Sequence, residues 1–244
     1  MEVGIIIQAR MGSTRLPGKV LKKLAGKEVL WHVVERCRRS TIAQKVIVAI
    51  STDISDDLIY NYCNANGIDV FRGDLNNVLL RYYECAKYYN LDVIVRVTSD
   101  CPLIDPYIID ECVKLFKDNH KDYVSNCLER IFPRGLDCEV FSFSALEDAA
   151  KNTQIDEERE HVTPYIIKNY NTLAYMVESA YQGNYRLTLD VDKDYDLLSL
   201  IYDKFYHQDE IIDVKKVIVF LVDNPEIANI NLNIEQKSSI EKIN

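Results

Sequence analysis

Ile5-Ile6-Ile7-Gln8-Ala9-Arg10-Met11-Gly12-Ser13-Thr14-Arg15-Leu16-Pro17-Gly18-Lys19 is an apolar run of β type that ends abruptly in a loop. A run that is apolar on both faces is the sequence of a parallel strand covered by helices on each side. The loop holds two glycines, two hydroxyl residues, two arginines and a lysine, and no carboxylate. That content suits a polyphosphate, because small residues let backbone N–H groups approach the anion and fixed cations neutralise it. The glycine spacing matches neither a Walker loop nor a dinucleotide fingerprint. A surface turn with incidental charges is the alternative, and the strand before and helix after the loop argue against it.

Working outward, Val3 to Ala9 reads as the first strand and residues 10–26 as its loop. Glu28 to Arg39 carries Val29, Leu30, Val33, Val34 and Cys37 at helical spacing. Lys45 to Ile50 is a second strand, with Ser51-Thr52-Asp53 as its exit loop. Asp56 to Asn66 is a helix stopped at Gly67. Asp69 to Arg72 reads as a strand, Asn76 to Tyr89 as a helix, and Leu91 to Thr98 as a further apolar strand with Ser99-Asp100-Cys101-Pro102 as its exit turn. A helix from Pro106 to Lys117 opens on Asp105 as N-cap. This alternation implies right-handed crossovers and an α/β fold with a mostly parallel, doubly wound sheet. Ligands of such sheets bind at the carboxyl ends of the strands, so loops 10–19, 51–53 and 99–102 should share one edge. The second half is mixed. Strands are expected at 122–126, 135–143, 173–179 and 185–189, and helices at 144–151, 157–169, 194–206 and 213–223. The Asn- and Ile-rich end is expected to pack weakly.

The 244 residues suit one large α/β domain, and 48% hydrophobic with 27% charged residues is ordinary for a soluble globular protein. A formal net charge of -9 argues against nucleic-acid binding. It also makes the Arg10, Arg15, Lys19 cluster stand out. The seven cysteines include no Cys-x-x-Cys pair, and the Met-Glu-Val-Gly start shows no signal peptide, which together predict reduced thiols in a cytoplasm. No apolar run reaches membrane-spanning length.

Within the loop, Gly12, Ser13 and Thr14 are candidate donors to phosphate, and Arg15 and Lys19 candidate neutralisers of the transferring phosphoryl and leaving pyrophosphate. Asp100 ends an apolar strand, where a carboxylate suits magnesium held jointly with phosphate oxygens; a turn cap is the alternative. Asp190, in Leu187-Thr188-Leu189-Asp190-Val191-Asp192, would complete that metal site, while N-capping of the next helix fits Asp192 better. His161 precedes a proline on an expected helix, where a structural hydrogen bond is as plausible as a substrate contact. Arg134, Gly135, Asp137 and Glu139 form a polar patch able to meet sugar hydroxyls. Cys101 has no histidine nearby in sequence to activate it.

At these residues the chain resembles the sugar cytidylyltransferases, in particular the subgroup of the spore-coat polysaccharide biosynthesis protein F. Residues Gln8 to Lys19 are similar to the signature of nucleotidyl transfer. Thr98 to Asp105, Pro133 to Phe141, Arg159 to Tyr165, Asn224-Pro225 and Asn231 to Lys237 are similar to segments of the subgroup. The resemblance implies a glycosyltransferase-A-like nucleotidyltransferase fold over 1–244, with a nucleotide-binding half at 1–130 and a sugar-binding and dimerisation half at 131–244. It implies CTP over the first loop, contacted by Ala9, Arg10, Gly12, Ser13, Thr14 and, near the base, Arg72. It implies Arg15 and Lys19 as catalytic, Mg2+ on Asp100 and Asp190, and Arg134, Asp137, Glu139 and His161 toward a sugar or sugar acid. Ser99 departs from the family, where a glycine is usual. A homodimer and a role in surface polysaccharide or glycan synthesis follow from the same resemblance. Two other readings stand beside it. One is a glycosyltransferase using a preformed nucleotide sugar, with Asp190-Val191-Asp192 as its metal motif. The other is a regulatory nucleotide-binding subunit.

Overall fold

The computed structural model describes residues 1–176, 180–208 and 210–234. The opening run forms β1 (Val3–Gln8). The chain then passes through a loop and a short hairpin, β2 (Lys23–Leu24) with β3 (Lys27–Glu28), into α1 (Val29–Arg38). Next come β4 (Lys45–Ser51), α2 (Asp57–Ala65), β5 (Asp69–Gly73), α3 (Val78–Tyr88), β6 (Val93–Thr98) and α4 (Pro106–Asp118). The second half supplies β7 (Tyr123–Ser125), β8 (Glu139–Ser142), α5 (Phe143–Asn152), α6 (Asp156–His161), α7 (Pro164–Asn169) and β9 (Thr172–Ala174). It ends in α8 (Asp192–Phe205), α9 (Val214–Asp223) and α10 (Pro225–Ala228).

Seven strands form one sheet in the order β5-β4-β1-β6-β8-β7-β9. The first four are parallel, β8 runs antiparallel to β6 and β7, and β9 is parallel to β7. Every strand but β8 therefore ends on the same edge, and the loops after β1, β4, β5, β6, β7 and β9 all open there. The mostly parallel α/β reading holds, and the sheet draws strands from both halves of the chain.

The isoleucines of β1 show why its sequence is apolar throughout. Successive side chains point to opposite faces. Ile5 and Ile7 enter a core shared with Val33, Ile109, Leu198 and Val217, whereas Ile6 enters a second core with Tyr82, Phe141 and Ala149. All three isoleucines are fully buried.

Several boundaries differ from expectation, mostly in the second half. The 10–26 loop contains a 3-10 turn (Lys19–Leu21) and the β2–β3 hairpin. The strand expected at 135–143 is confined to β8. The helix expected at 157–169 is two helices, because Val162 takes φ 72 and Pro164 starts a new turn. Of the strand expected at 173–179, β9 covers 172–174, and 177–179 lie outside the described residues. Residues 185–189 form no strand; they make a single bridge, Arg134 to Arg186. In the terminal segment expected to pack weakly, Asn231 is buried at 2% exposure, whereas Leu232 and Asn233 are exposed. Residues 235–237 of the terminal motif lie outside the described residues. Asp105 caps α4 as expected, accepting the Tyr107 N–H at 2.8 Å. The seven cysteines are free thiols, and all but Cys127 are buried.

Candidate active site

The loop after β1 folds on itself. Ala9 stays with the sheet, its N–H donating to the Ala49 carbonyl at 3.1 Å. Ser13 and Gly18 then both donate to the Met11 carbonyl, at 2.8 and 3.3 Å. Leu16 N–H donates to Ser13 Oγ at 3.3 Å. Gly18 sits at φ 67, a left-handed conformation that favours glycine, and the 3-10 turn begins directly after it with Lys19. Asp56 anchors the loop from outside. Its Oδ1 accepts the Met11 N–H at 2.7 Å, while Oδ2 accepts the Ser51 N–H at 3.0 Å and the Ser51 hydroxyl at 2.5 Å.

Asp100 follows β6. Its Oδ1 accepts the Thr98 hydroxyl at 2.5 Å. Its carbonyl accepts the Leu189 N–H at 2.8 Å and the Thr188 hydroxyl at 3.2 Å. That stitch brings residue 190 beside residue 100. A second stitch holds the same segment from its other side. Leu187 N–H donates to the Arg134 carbonyl at 2.7 Å, and Gly135, at φ 100, lies so close that a Cβ would stand 2.5 Å from the Leu187 carbonyl carbon.

These loops converge on a cluster of fixed charges. Lys19 Nζ donates to Asp100 Oδ2 at 2.6 Å and to Asp190 Oδ1 at 2.8 Å. Asp190 Oδ2 also faces Arg15 Nη2 at 3.2 Å and Arg186 Nη2 at 3.0 Å. Arg186 pairs in turn with Asp194, Nε to Oδ1 at 2.8 Å and Nη2 to Oδ2 at 3.0 Å. Burial would push the Lys19 ammonium down, but Asp100 and Asp190 outweigh it and hold the pKa above the usual lysine value. Burial likewise raises Asp100, and Lys19 with the Thr98 hydroxyl overcomes that, leaving Asp100 below the usual carboxylate range. Cys101 is the opposite case: burial and neighbouring Asp100 push its thiol well up, which disqualifies it as a nucleophile at neutral pH.

Arg15, Lys19, Asp100 and Asp190, far apart in sequence, are thus in one place. Among the described residues no group of three His, Cys, Asp or Glu is arranged to hold a metal ion by itself. Two carboxylates at one edge do fit a magnesium ion, which takes one or two protein carboxylates and completes its shell with phosphate oxygens and water. Arg10, Gly12 and Thr14 are exposed on the loop, and nothing lies within 4 Å of a Cβ built on Gly12.

Other candidates stand apart from the charges. Arg72, at the end of β5, donates to the Ser51 and Asp53 carbonyls at 3.2 and 3.1 Å and pairs with Asp57 at 2.6 Å. It braces the loop after β4. Arg134 lines an open concavity of about 360 Å³ with Arg130, Phe132, Asn184 and Tyr185. Asp137 is beside it, paired with Arg130 at 2.5 Å. Glu139 is turned into the interior instead, 3% exposed. Its carboxylate meets Arg96 and accepts the Tyr123 hydroxyl at 2.8 Å and the Thr163 hydroxyl at 2.6 Å, so it is a strut of the sheet. His161 ends α6, its carbonyl accepting the Thr163 N–H at 2.9 Å. Asp192 is exposed in the first turn of α8. The capping contact expected of Asp192 is made by Asp194, whose Oδ2 accepts the Asp190 and Val191 N–H groups at 2.9 and 3.1 Å.

Sequence reasoning missed Arg186, Asp194, Asn231 and Asp56. One of them left a signal. Asp194 precedes Leu197, Leu198 and Ile201 at helical spacing, so a carboxylate sits on the buried face of a helix, where it needs a partner.

A family model described as Cytidylyltransferase matches residues 4–231. The chain is 42% identical over 243 residues to the uncharacterized protein MJ1063 of Methanocaldococcus jannaschii, covering 98% of each. It is 34% identical over 240 residues to the spore coat polysaccharide biosynthesis protein SpsF of Bacillus subtilis, covering 93% of this chain and 97% of that one. A solved cytidylyltransferase from Leptospira borgpetersenii superposes with a TM-score of 0.87 at 37% identity, covering 98% of this chain and 100% of the other.

Proposed function

The chain belongs to the cytidylyltransferase family, as an SpsF-like nucleotidyltransferase, and from that premise we propose that it transfers CMP from CTP to a sugar or sugar acid, with Mg2+, releasing pyrophosphate for polysaccharide synthesis. The single observation that carries this reading is Lys19, 2.6 Å from Asp100 and 2.8 Å from Asp190, because it joins the Gly-rich loop to two carboxylates at the sheet edge.

An acceptor hydroxyl attacks the α-phosphorus and gives its proton to solvent, the new O–P bond forms, and the bond from the α-phosphorus to the bridging oxygen breaks to release pyrophosphate. The protein contributes position and charge rather than a covalent nucleophile. The N–H groups of Gly12 and Thr14 and the hydroxyls of Ser13 and Thr14 receive the phosphates. Lys19 and Arg15 neutralise the charge that develops on the leaving pyrophosphate. Asp100 and Asp190 would hold Mg2+, which supplies Lewis-acid polarisation of the phosphate when bound. The acceptor lies in the concavity of Arg130, Arg134 and Tyr185, adjoining the segment that carries Asp190. In this reading the enzyme works as a homodimer, which light scattering on the eluted protein tests directly.

The decisive experiment pairs a thermal-shift screen of CTP, UTP, GTP and ATP with magnesium and a pyrophosphate-release assay over a panel of sugars and sugar acids. CTP is expected to give the largest shift, because a ligand stabilises the state it binds. No shift with any nucleotide overturns the proposal. A glycosyltransferase would release no pyrophosphate from CTP, and the exposed position of Asp192 gives that reading no support.

A further inference from the structure

Asp190 has two kinds of neighbour. Lys19 and Arg15 come from the loop after β1. Arg186 comes from behind, on the same segment, and is 7% exposed. Three cations around Asp190 would repel a further cation if nothing balanced them. Asp100 offsets Lys19 on one side. On the other, Asp194, fully buried, takes Arg186 in a two-point pair. Burial would push Arg186 down, but Asp194 and then Asp190 outweigh it and keep it charged. The pair also fixes geometry. A planar guanidinium gripped through Nε and Nη2 has no freedom to rotate, so its Nη2 presents a donor to Asp190 Oδ2 at one angle. Asp194 Oδ2 further accepts the Asp190 and Val191 N–H groups.

The last member comes from the other end of the sequence. Asn231 Nδ2 donates to Asp194 Oδ1 at 2.8 Å and to the Arg186 carbonyl at 2.9 Å. It is 2% exposed, in the segment that follows α10. A primary amide closing both ends of an ion pair does more than fill space, because it fixes where the carboxylate and the arginine backbone stand relative to each other.

We propose that Asn231 and Asp194 are positioning residues that act through Arg186 to aim the Asp190 carboxylate, and so set the affinity for the divalent cation carried by the nucleotide. This rests on the reading of Asp100 and Asp190 given above. Supporting residues behind metal-binding carboxylates typically change metal affinity by about 10-fold or more when removed.

The test measures Mn2+ binding in the presence of CTP by the loss of the free-ion paramagnetic resonance signal, with pyrophosphate release followed in parallel. Asn231→Ala is expected to weaken Mn2+ binding about tenfold and to raise the metal needed for half-maximal rate by a similar factor, with the KM for CTP at saturating metal changed less than twofold. Val217→Ala, which loosens α9 without touching the cluster, serves as the stability control; it is expected to lower Tm and leave Mn2+ affinity unchanged. Arg186→Lys, which keeps the charge but loses the two-point grip, is expected to behave like Asn231→Ala and decides the matter if that variant does not fold. Unchanged Mn2+ affinity in a folded variant with lowered Tm overturns the inference and leaves a structural role only. If the wild-type protein binds no Mn2+ with CTP, the functional reading itself falls.

Discussion

Lys19 is the residue on which three parts of the chain meet, and its removal separates chemistry from folding. The ammonium is held by Asp100 and Asp190, yet Arg15 and Arg186 also face Asp190, so when Lys19 is lost Asp190 keeps its cations and Asp100 keeps the Thr98 hydroxyl. Lys19→Ala should therefore fold, checked by circular dichroism, and lose on the order of 10²–10³-fold in pyrophosphate release, the usual cost of one charge-stabilising donor. Near-normal turnover would remove Lys19 from the chemistry. His32 shows a different use of burial. Its ring lies among Trp31, Tyr202 and Tyr206 and beside Arg36. Nε2 stands 2.8 Å from the Leu24 carbonyl, so this nitrogen carries the hydrogen. Burial is the largest influence and pushes its pKa from 6.5 down to about 4. The unfolded chain therefore takes up a proton in a window where the folded protein does not, and stability falls as pH drops from 6.5 toward 4. The contribution lost by pH 5 is about 2 kcal/mol. His32→Gln keeps an N–H donor and has no such titration. Urea unfolding at pH 7.5 and pH 5 should show the wild type losing about that much more than the variant.

At the scale of elements, two glycines on neighbouring loops make opposite predictions. A Cβ on Gly135 would meet the backbone of Leu187 and Thr188 at 2.5–2.7 Å, and φ 100 is a conformation side chains avoid. Gly135→Ala must push apart the two segments whose contact places Asp190, at roughly 2–4 kcal/mol, with activity falling alongside. A Cβ on Gly12 meets nothing within 4 Å, so Gly12→Ala should change stability by less than about 0.5 kcal/mol. Any rise in its KM for CTP then reports close approach of the loop to phosphate rather than damage to the fold. Denaturant titration of both variants beside nucleotide kinetics checks the pair. The contrast also marks what the sequence made legible. β1, β4 and β6 were readable because a strand buried on both faces is apolar at every position, and their exit loops followed from the parallel topology. β7, β8 and β9 are three or four residues long, and their order rests on partners distant in sequence that no local period encodes. The same holds within the site. Lys19 and Asp100 announced themselves by charge at strand ends, and Asp194 by its place on an apolar helix face. Arg186 did not, and Asn231 was marked only as the start of a segment resembling the subgroup, because a pairing across 45 residues leaves no local pattern.

Over the whole molecule, the cluster gathers cations in a chain whose formal net charge is -9, and it does so by joining the two ends of the fold. Lys19 and Asp190 are 171 residues apart, and a few such charged contacts join the loop after β1 to the second half, beside the hydrogen bond from the Tyr195 hydroxyl to the Lys23 carbonyl and a shared apolar core. No helix among the described residues is long and apolar enough to cross a membrane. A triphosphate with its metal, bound by residues 10–19 and by Asp100 and Asp190 together, would replace those few contacts with many that span both halves. Hydrogen exchange with CTP and Mg2+ should then slow in peptides covering 10–19 and 186–191 at once. At a ligand concentration about 100 times Kd, global unfolding should become about 2.7 kcal/mol less favourable. Equal concentrations of Mg2+ alone should do neither, because two carboxylates without phosphate oxygens make a poor magnesium site. Protection confined to 10–19 would mean that the nucleotide is read by the first loop alone. Asp190 and the elements behind it would then serve the architecture of the sheet edge and not the transfer.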